Sequence, residues 1–110
     1  MSMPSAALLD HLRGLTSSDT AARQLAADVI TDVYAGFDET DVLIVSYVLV
    51  SLASVEAEAD CLEAQLNALG AITERHLLPD ATLDRLETID RDSLPATLGE
   101  YYDDLLSERR

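Results

Sequence analysis

Two histidines, one cysteine and a large supply of carboxylates are the side chains in this sequence with ligating or proton-transfer chemistry. A zinc site needs three or four His, Cys or carboxylate ligands at short spacing. His11 and His76 are far apart in the chain, and Cys61 has no second cysteine to pair with. A di-iron carboxylate bundle uses Glu-x-x-His on two helices, whereas Glu74 stands two residues before His76 and no second motif occurs. The Asp38-Glu39-Thr40-Asp41 stretch fails as a calcium loop, because Leu43 holds the glycine position and Leu49 the bidentate glutamate position. No glycine-rich phosphate loop and no Gly-x-Ser-x-Gly elbow is present. Asp28 and Asp32 are spaced i, i+4, but with this many acids such pairs arise on any solvated helix face. The expectation is a non-enzymatic chain with no catalytic residue, metal or cofactor.

The acids then matter as surface, and they fall into three zones. Asp28, Asp32, Asp38, Glu39 and Asp41 form the first. Glu56, Glu58, Asp60 and Glu63 form the second. Tyr101, Tyr102, Asp103 and Asp104 form the third and most interface-like. Adjacent tyrosines cannot both face the core of one helix, and an exposed Tyr beside carboxylates is a mix found at binding hot spots. The expected partner-binding residues are Tyr101, Tyr102, Asp103, Asp104, Glu56, Glu58, Asp60, Glu63, Asp28 and Asp32.

The elements that would hold these groups read as helices throughout. Apolar residues recur at i, i+3, i+4 spacing, and no Asn-Gly or Asp-Gly hairpin signal occurs. A first helix is expected over 5–15, followed by a capping cluster at Thr16-Ser17-Ser18-Asp19. A second runs to about Ala35, with a stripe of Ala22, Leu25, Ala26, Val29, Ile30 and Val33. The run Val42–Ala53 is almost wholly apolar. Its β-branched part alone would suit a buried strand, but its length and its helical neighbours favour a central helix covered all round. A fourth helix opens near Glu56 and runs to about His76, with Cys61, Leu62, Ala64, Leu66, Ala68, Leu69 and Ile72 facing inward. A fifth covers 80–89 after Pro79, and a last one 95–107. The fold expected is all-α, with about six helices.

The 110 residues carry 21 Asp and Glu against 7 basic residues, all arginine, for a net charge of −14. One domain of this length buries on the order of 60–70% of its unfolded surface, and 48% hydrophobic residues exclude intrinsic disorder. The charge repels phosphate, which argues against nucleic acid as a direct ligand. No uncharged apolar run approaches the ~18 residues of a membrane span. The opening Met1-Ser2-Met3-Pro4-Ser5 has no basic segment leading into an apolar core, which predicts a cytoplasmic chain. Excess carboxylate is explained either by a basic partner or by a saline environment.

An offset of 39 residues relates the two halves, aligning Asp19 with Glu58, Ala22 with Cys61, Ile30 with Leu69 and Val33 with Ile72. Asp19-Thr20-Ala21-Ala22-Arg23-Gln24-Leu25-Ala26 and Glu63-Ala64-Gln65-Leu66-Asn67-Ala68-Leu69-Gly70 resemble HEAT-type repeats. That resemblance implies units at about 19–56 and 58–92, capped by helices 5–15 and 95–107, in a short α-solenoid; an irregular helical bundle is the alternative. Leu62 stands where Arg23 does, so the second unit lacks the basic residue of the pattern. Size, acidity and helical character together are similar to immunity proteins of bacterial polymorphic toxin systems. The similarity implies a basic toxin domain, such as a nuclease, as partner, with a HEAT-like adaptor as the other reading.

Overall fold

Asp38 decides where the central helix begins. Its carboxylate accepts from the Asp41 backbone N–H at 2.8 Å, and the Asp41 carboxylate accepts from the Asp38 N–H at 3.1 Å. This reciprocal box satisfies two backbone donors that a helix start leaves orphaned. The apolar run therefore enters a helix rather than a strand. The computed structural model describes residues 4–107, and no strand forms among them. Arg109, Arg110 and the Met1–Met3 opening lie outside the described residues.

Six helices follow in order: α1 (Ser5–Leu15), α2 (Thr20–Val33), α3 (Glu39–Ala53), α4 (Ala59–Ile72), α5 (Asp80–Glu87) and α6 (Ala96–Leu106). Single 3-10 turns at Tyr34–Gly36 and Arg91–Ser93 finish α2 and precede α6. Asp19 caps α2 by accepting from Ala22 N–H. Pro79 and Pro95 occupy the N-cap positions of α5 and α6, where a residue without an N–H and with a fixed φ costs the helix nothing.

The chain folds back on itself within α1–α2, α3–α4 and α5–α6. The odd helices then pack in sequence on one another, and so do the even ones, with α2 against α4 the most extensive contact. Two layers result, and the molecule measures 38 × 33 × 19 Å. The 39-residue offset is visible in space. α2 and α4 are both 14 residues long, with Asp19 and Glu58 at their N-caps and Ala27 and Ile30 of α2 buried where Leu66 and Leu69 of α4 are. The self-packing hairpins are shifted by one helix from the units 19–56 and 58–92. The core is a single cluster centred on Leu15, Ile30, Leu49, Leu66, Leu69, Ile72 and Leu86. One buried polar contact crosses it, Ser46 Oγ to Thr82 Oγ1 at 2.9 Å, joining α3 to α5.

Four expectations need correction. Leu25 is 65% exposed and Ala27 is buried in its place, because α2 is rich in alanine and its inward face lies rotated from the expected stripe. The central helix is not covered all round. Leu43 and Tyr47 are exposed, because α3 has α1, α4 and α5 beside and beneath it and no described helix above. The fourth helix starts at Ala59 rather than Glu56 and ends at Ile72, where Thr73 Oγ1 donates back to the Gly70 carbonyl. The fifth ends at Glu87, with Thr88 Oγ1 donating to the Arg85 carbonyl.

Replacing Leu66, which is fully buried, with alanine is expected to cost about 2–5 kcal/mol of stability. Leu25→Ser should stay within roughly 0.5 kcal/mol of the parent. Urea unfolding of the two variants checks the assigned face of α2 against that of α4.

Candidate functional site

Charged groups in this molecule do two different jobs, one internal and one at the surface. The internal one centres on Arg23 in the first turns of α2. Its Nε and Nη2 donate to the two carboxylate oxygens of Glu56, each at 2.9 Å. Nη1 donates to the Ser17 and Ser18 carbonyls, both at 3.1 Å, and Nη2 also reaches Thr20 Oγ1. All five guanidinium donors are thereby used. Glu56 lies in the turn between α3 and α4, and its side chain is 3% exposed. It also accepts from Gln65 Nε2 at 3.0 Å and from the Glu58 backbone N–H. The hydrogen bonds from Arg23 hold the Glu56 carboxyl down at about 2, and Glu56 in turn raises the Arg23 guanidinium. Burial pushes the Cys61 thiol up to about 11, so it stays protonated and unreactive at neutral pH.

The surface job falls to a shallow cleft of about 250 Å³ between α4 and α6, lined by Glu63, Thr97, Glu100, Tyr101 and Asp104. Thr97, Glu100 and Asp104 stand three and four residues apart, so one face of α6 presents them together. Glu63, on the exposed side of α4, faces them across the cleft. Tyr101 is half-buried in the wall. Among the described residues, none of Glu63, Glu100 and Asp104 has an ion-pair partner. Three carboxylates around an aromatic wall can receive a guanidinium or ammonium by charge, hydrogen bonds and cation–π contact together.

The residues expected at a partner surface separate accordingly. Glu63, Tyr101 and Asp104 are brought into the cleft. Glu58 and Asp60 are exposed at the start of α4. Asp28 and Asp32 are exposed on α2. Glu56 is enclosed by Arg23 and Gln65. Tyr102 is buried, its O–H donating to the Ile89 carbonyl at 3.0 Å, and burial raises its phenol above the ordinary value. Asp103 forms a two-pronged pair with Arg91 at 2.7–2.8 Å. Gly99 makes room for it, since a Cβ there would stand 3.0 Å from the Arg91 guanidinium. The adjacent tyrosines thus divide as helical geometry requires, one inward and one at the rim. Glu100 and Thr97 are the residues that linear zoning passes over. Helical spacing from Asp104 is the signal that finds them.

Among the described residues no three His, Cys or carboxylate side chains converge to hold a metal ion. No helix among them is long and apolar enough to cross a membrane. Neither a protein-family model, nor a curated protein, nor a solved structure matches this chain.

Glu56 sets an acid limit on stability. A carboxyl at about 2 when folded and about 4.5 when unfolded adds stability above pH 4.5, which is lost as pH falls from there toward 2. The shift corresponds to about 3 kcal/mol. Glu56→Gln is expected to lower stability by that order at pH 7 and to flatten this part of the pH profile. Thermal unfolding across pH 2–7 measures both effects.

Proposed function

We propose that the chain is a binding protein for a basic protein partner, acting without catalysis. The concrete form is an immunity protein that covers the active site or substrate approach of a toxin domain such as a nuclease. The observation that carries this reading is the cleft of α4 and α6, where Glu63, Glu100 and Asp104 surround the half-buried Tyr101 without an internal counter-ion among the described residues. Carboxylates placed this way pair with the Arg and Lys side chains that a nuclease uses on phosphate. Tyr101 supplies a stiff amphipathic anchor that loses little entropy on binding. Complementary charge accelerates encounter, to about 10⁸–10⁹ M⁻¹s⁻¹ at low salt. The partner so captured handles nucleic acid, while this chain, at −14, does not.

A HEAT-like adaptor whose acidity is a solubility or salt adaptation is the second reading. It is favoured by the exposed carboxylates on other helices, among them Asp10, Asp28, Asp32, Asp84 and Glu87. The two diverge in salt. The adaptor needs molar salt to fold fully, whereas the toxin-neutralising protein folds at low salt and binds less tightly as salt rises. Circular dichroism through a salt titration separates them.

Co-expression with the product of the neighbouring gene tests the first reading directly. The expected result is a toxic product whose effect this chain abolishes, with protection lost in the Glu63→Lys, Asp104→Lys double variant and kept in Asp28→Lys. Tyr101→Ala should weaken the complex by roughly 30-fold or more. A neighbouring product that is neither toxic nor bound removes the proposal.

A further inference from the structure

A cleft of about 600 Å³ opens where the start of α3 meets the connection from α4 to α5. Backbone contacts fix both walls. The capping box of Asp38 and Asp41 sets the first turn of α3 and with it the position of Glu39. In the connection, the Arg75 and His76 N–H groups both donate to the Ile72 carbonyl, at 3.2 and 3.0 Å. Leu78 is buried two residues after His76, and Leu77 between them is left 83% exposed. Val42, Leu43, Leu77 and Pro79 give the cleft an apolar lining. Its volume falls within the range of roughly 300–1,000 Å³ that small-molecule sites occupy.

Glu39, Arg75 and His76 line the same space. Arg13, Arg23 and Arg91 each pair with a carboxylate, whereas Arg75 forms no ion pair among the described residues. Glu39 forms none there either. Both side chains are exposed, so two opposite charges line one apolar cleft without pairing with each other. Glu74, next to Arg75 in the chain, is engaged by the Tyr34 hydroxyl, which donates to it. It takes no part in the lining.

We propose that this cleft binds a small zwitterion of the amino-acid type, a free apolar amino acid or a dipeptide. Its carboxylate pairs with Arg75 beside His76, its ammonium pairs with Glu39, and its apolar side chain lies against Val42, Leu43, Leu77 and Pro79. Charge decides among the occupants. A polyanion meets Glu39 and a net charge of −14, and a basic peptide meets Arg75 and His76. A purely apolar ligand would desolvate both charges without pairing them, which is costly. A metal ion would find Glu39 and His76 alone, fewer ligands than a zinc site needs. A zwitterion answers both charges, and with no net charge of its own it is not repelled by the molecule as a whole. This cleft shares no residue with the one between α4 and α6, so the toxin-neutralising reading neither supports it nor depends on it.

Calorimetric titration of the full chain with L-leucine and with leucyl-leucine reads the binding. Three related compounds each lack one feature: N-acetyl-leucine the ammonium, leucinamide the carboxylate and glycine the apolar side chain. The expected result is saturable binding of leucine or its dipeptide, weakened at least about tenfold by each omission. The tighter of the two identifies the source of the zwitterion. Arg75→Ala should abolish the preference for leucine over leucinamide, and Glu39→Gln the preference over N-acetyl-leucine. Circular dichroism should be unchanged in both variants, because both side chains are exposed. Asp28→Asn, on α2, should leave every affinity as it is. No binding of either zwitterion up to about 10 mM overturns the proposal. So does binding that keeps its strength without the ammonium or without the carboxylate, or a set of preferences that survives both cleft variants.

Discussion

The Arg23–Glu56 pair is the contact on which the arrangement of the layers depends. It joins the start of α2 to the turn after α3, and through Gln65 it continues into α4. A pair this enclosed is costly to desolvate and holds only when every donor and lone pair finds a partner. Here the guanidinium reaches two backbone carbonyls and a threonine hydroxyl besides the carboxylate, while the carboxylate collects donors from Gln65 and the backbone. The pair closes a contact across 33 residues. It fixes the α1–α2 and α3–α4 turns side by side, which sets α2 against α4, the broadest contact in the molecule.

Charges are therefore sorted by environment rather than by sequence neighbourhood. Asp38 and Asp41 are consumed in starting α3, Glu56 in the ion pair, and Asp103 in holding Arg91. Carboxylates left to solvent lie mainly on outer helix faces, and along α6 and the facing side of α4 three of them line one concave space. The uncharged back of α3 is separate from that space, so the molecule presents two chemically opposite surfaces.

Much of the architecture was legible in the sequence. The first helix forms over Ser5–Leu15, as its apolar spacing and the Thr16–Asp19 cluster at its end predict. The 39-residue offset reappears as two helices of equal length. What failed has identifiable causes. In α2 the alanines at 21, 22, 26 and 27 give little contrast between faces, so Leu25 could not be told from an inward residue. In α3 an all-apolar run carries no phase at all, and its exposed side becomes visible only when the neighbours are placed. Glu56 read as surface because its partner is remote in sequence. Tyr101, Asp104 and Glu63 were recognised singly, and their convergence with Glu100 required the packing of α6 on α4.

The carbonyl contacts of Arg23 have an evolutionary consequence. The guanidinium holds the α1–α2 turn through the main-chain oxygens of Ser17 and Ser18, and a main-chain oxygen is supplied by any residue. Substitution at Ser18 is thus buffered, whereas the Ser17 hydroxyl also accepts the Asp19 N–H, and Arg23 and Glu56 are bound to change together or not at all. A lineage could vary Ser18 for a new partner and leave the joint between the layers intact, while Ser17 and Asp19 stay tied to the start of α2.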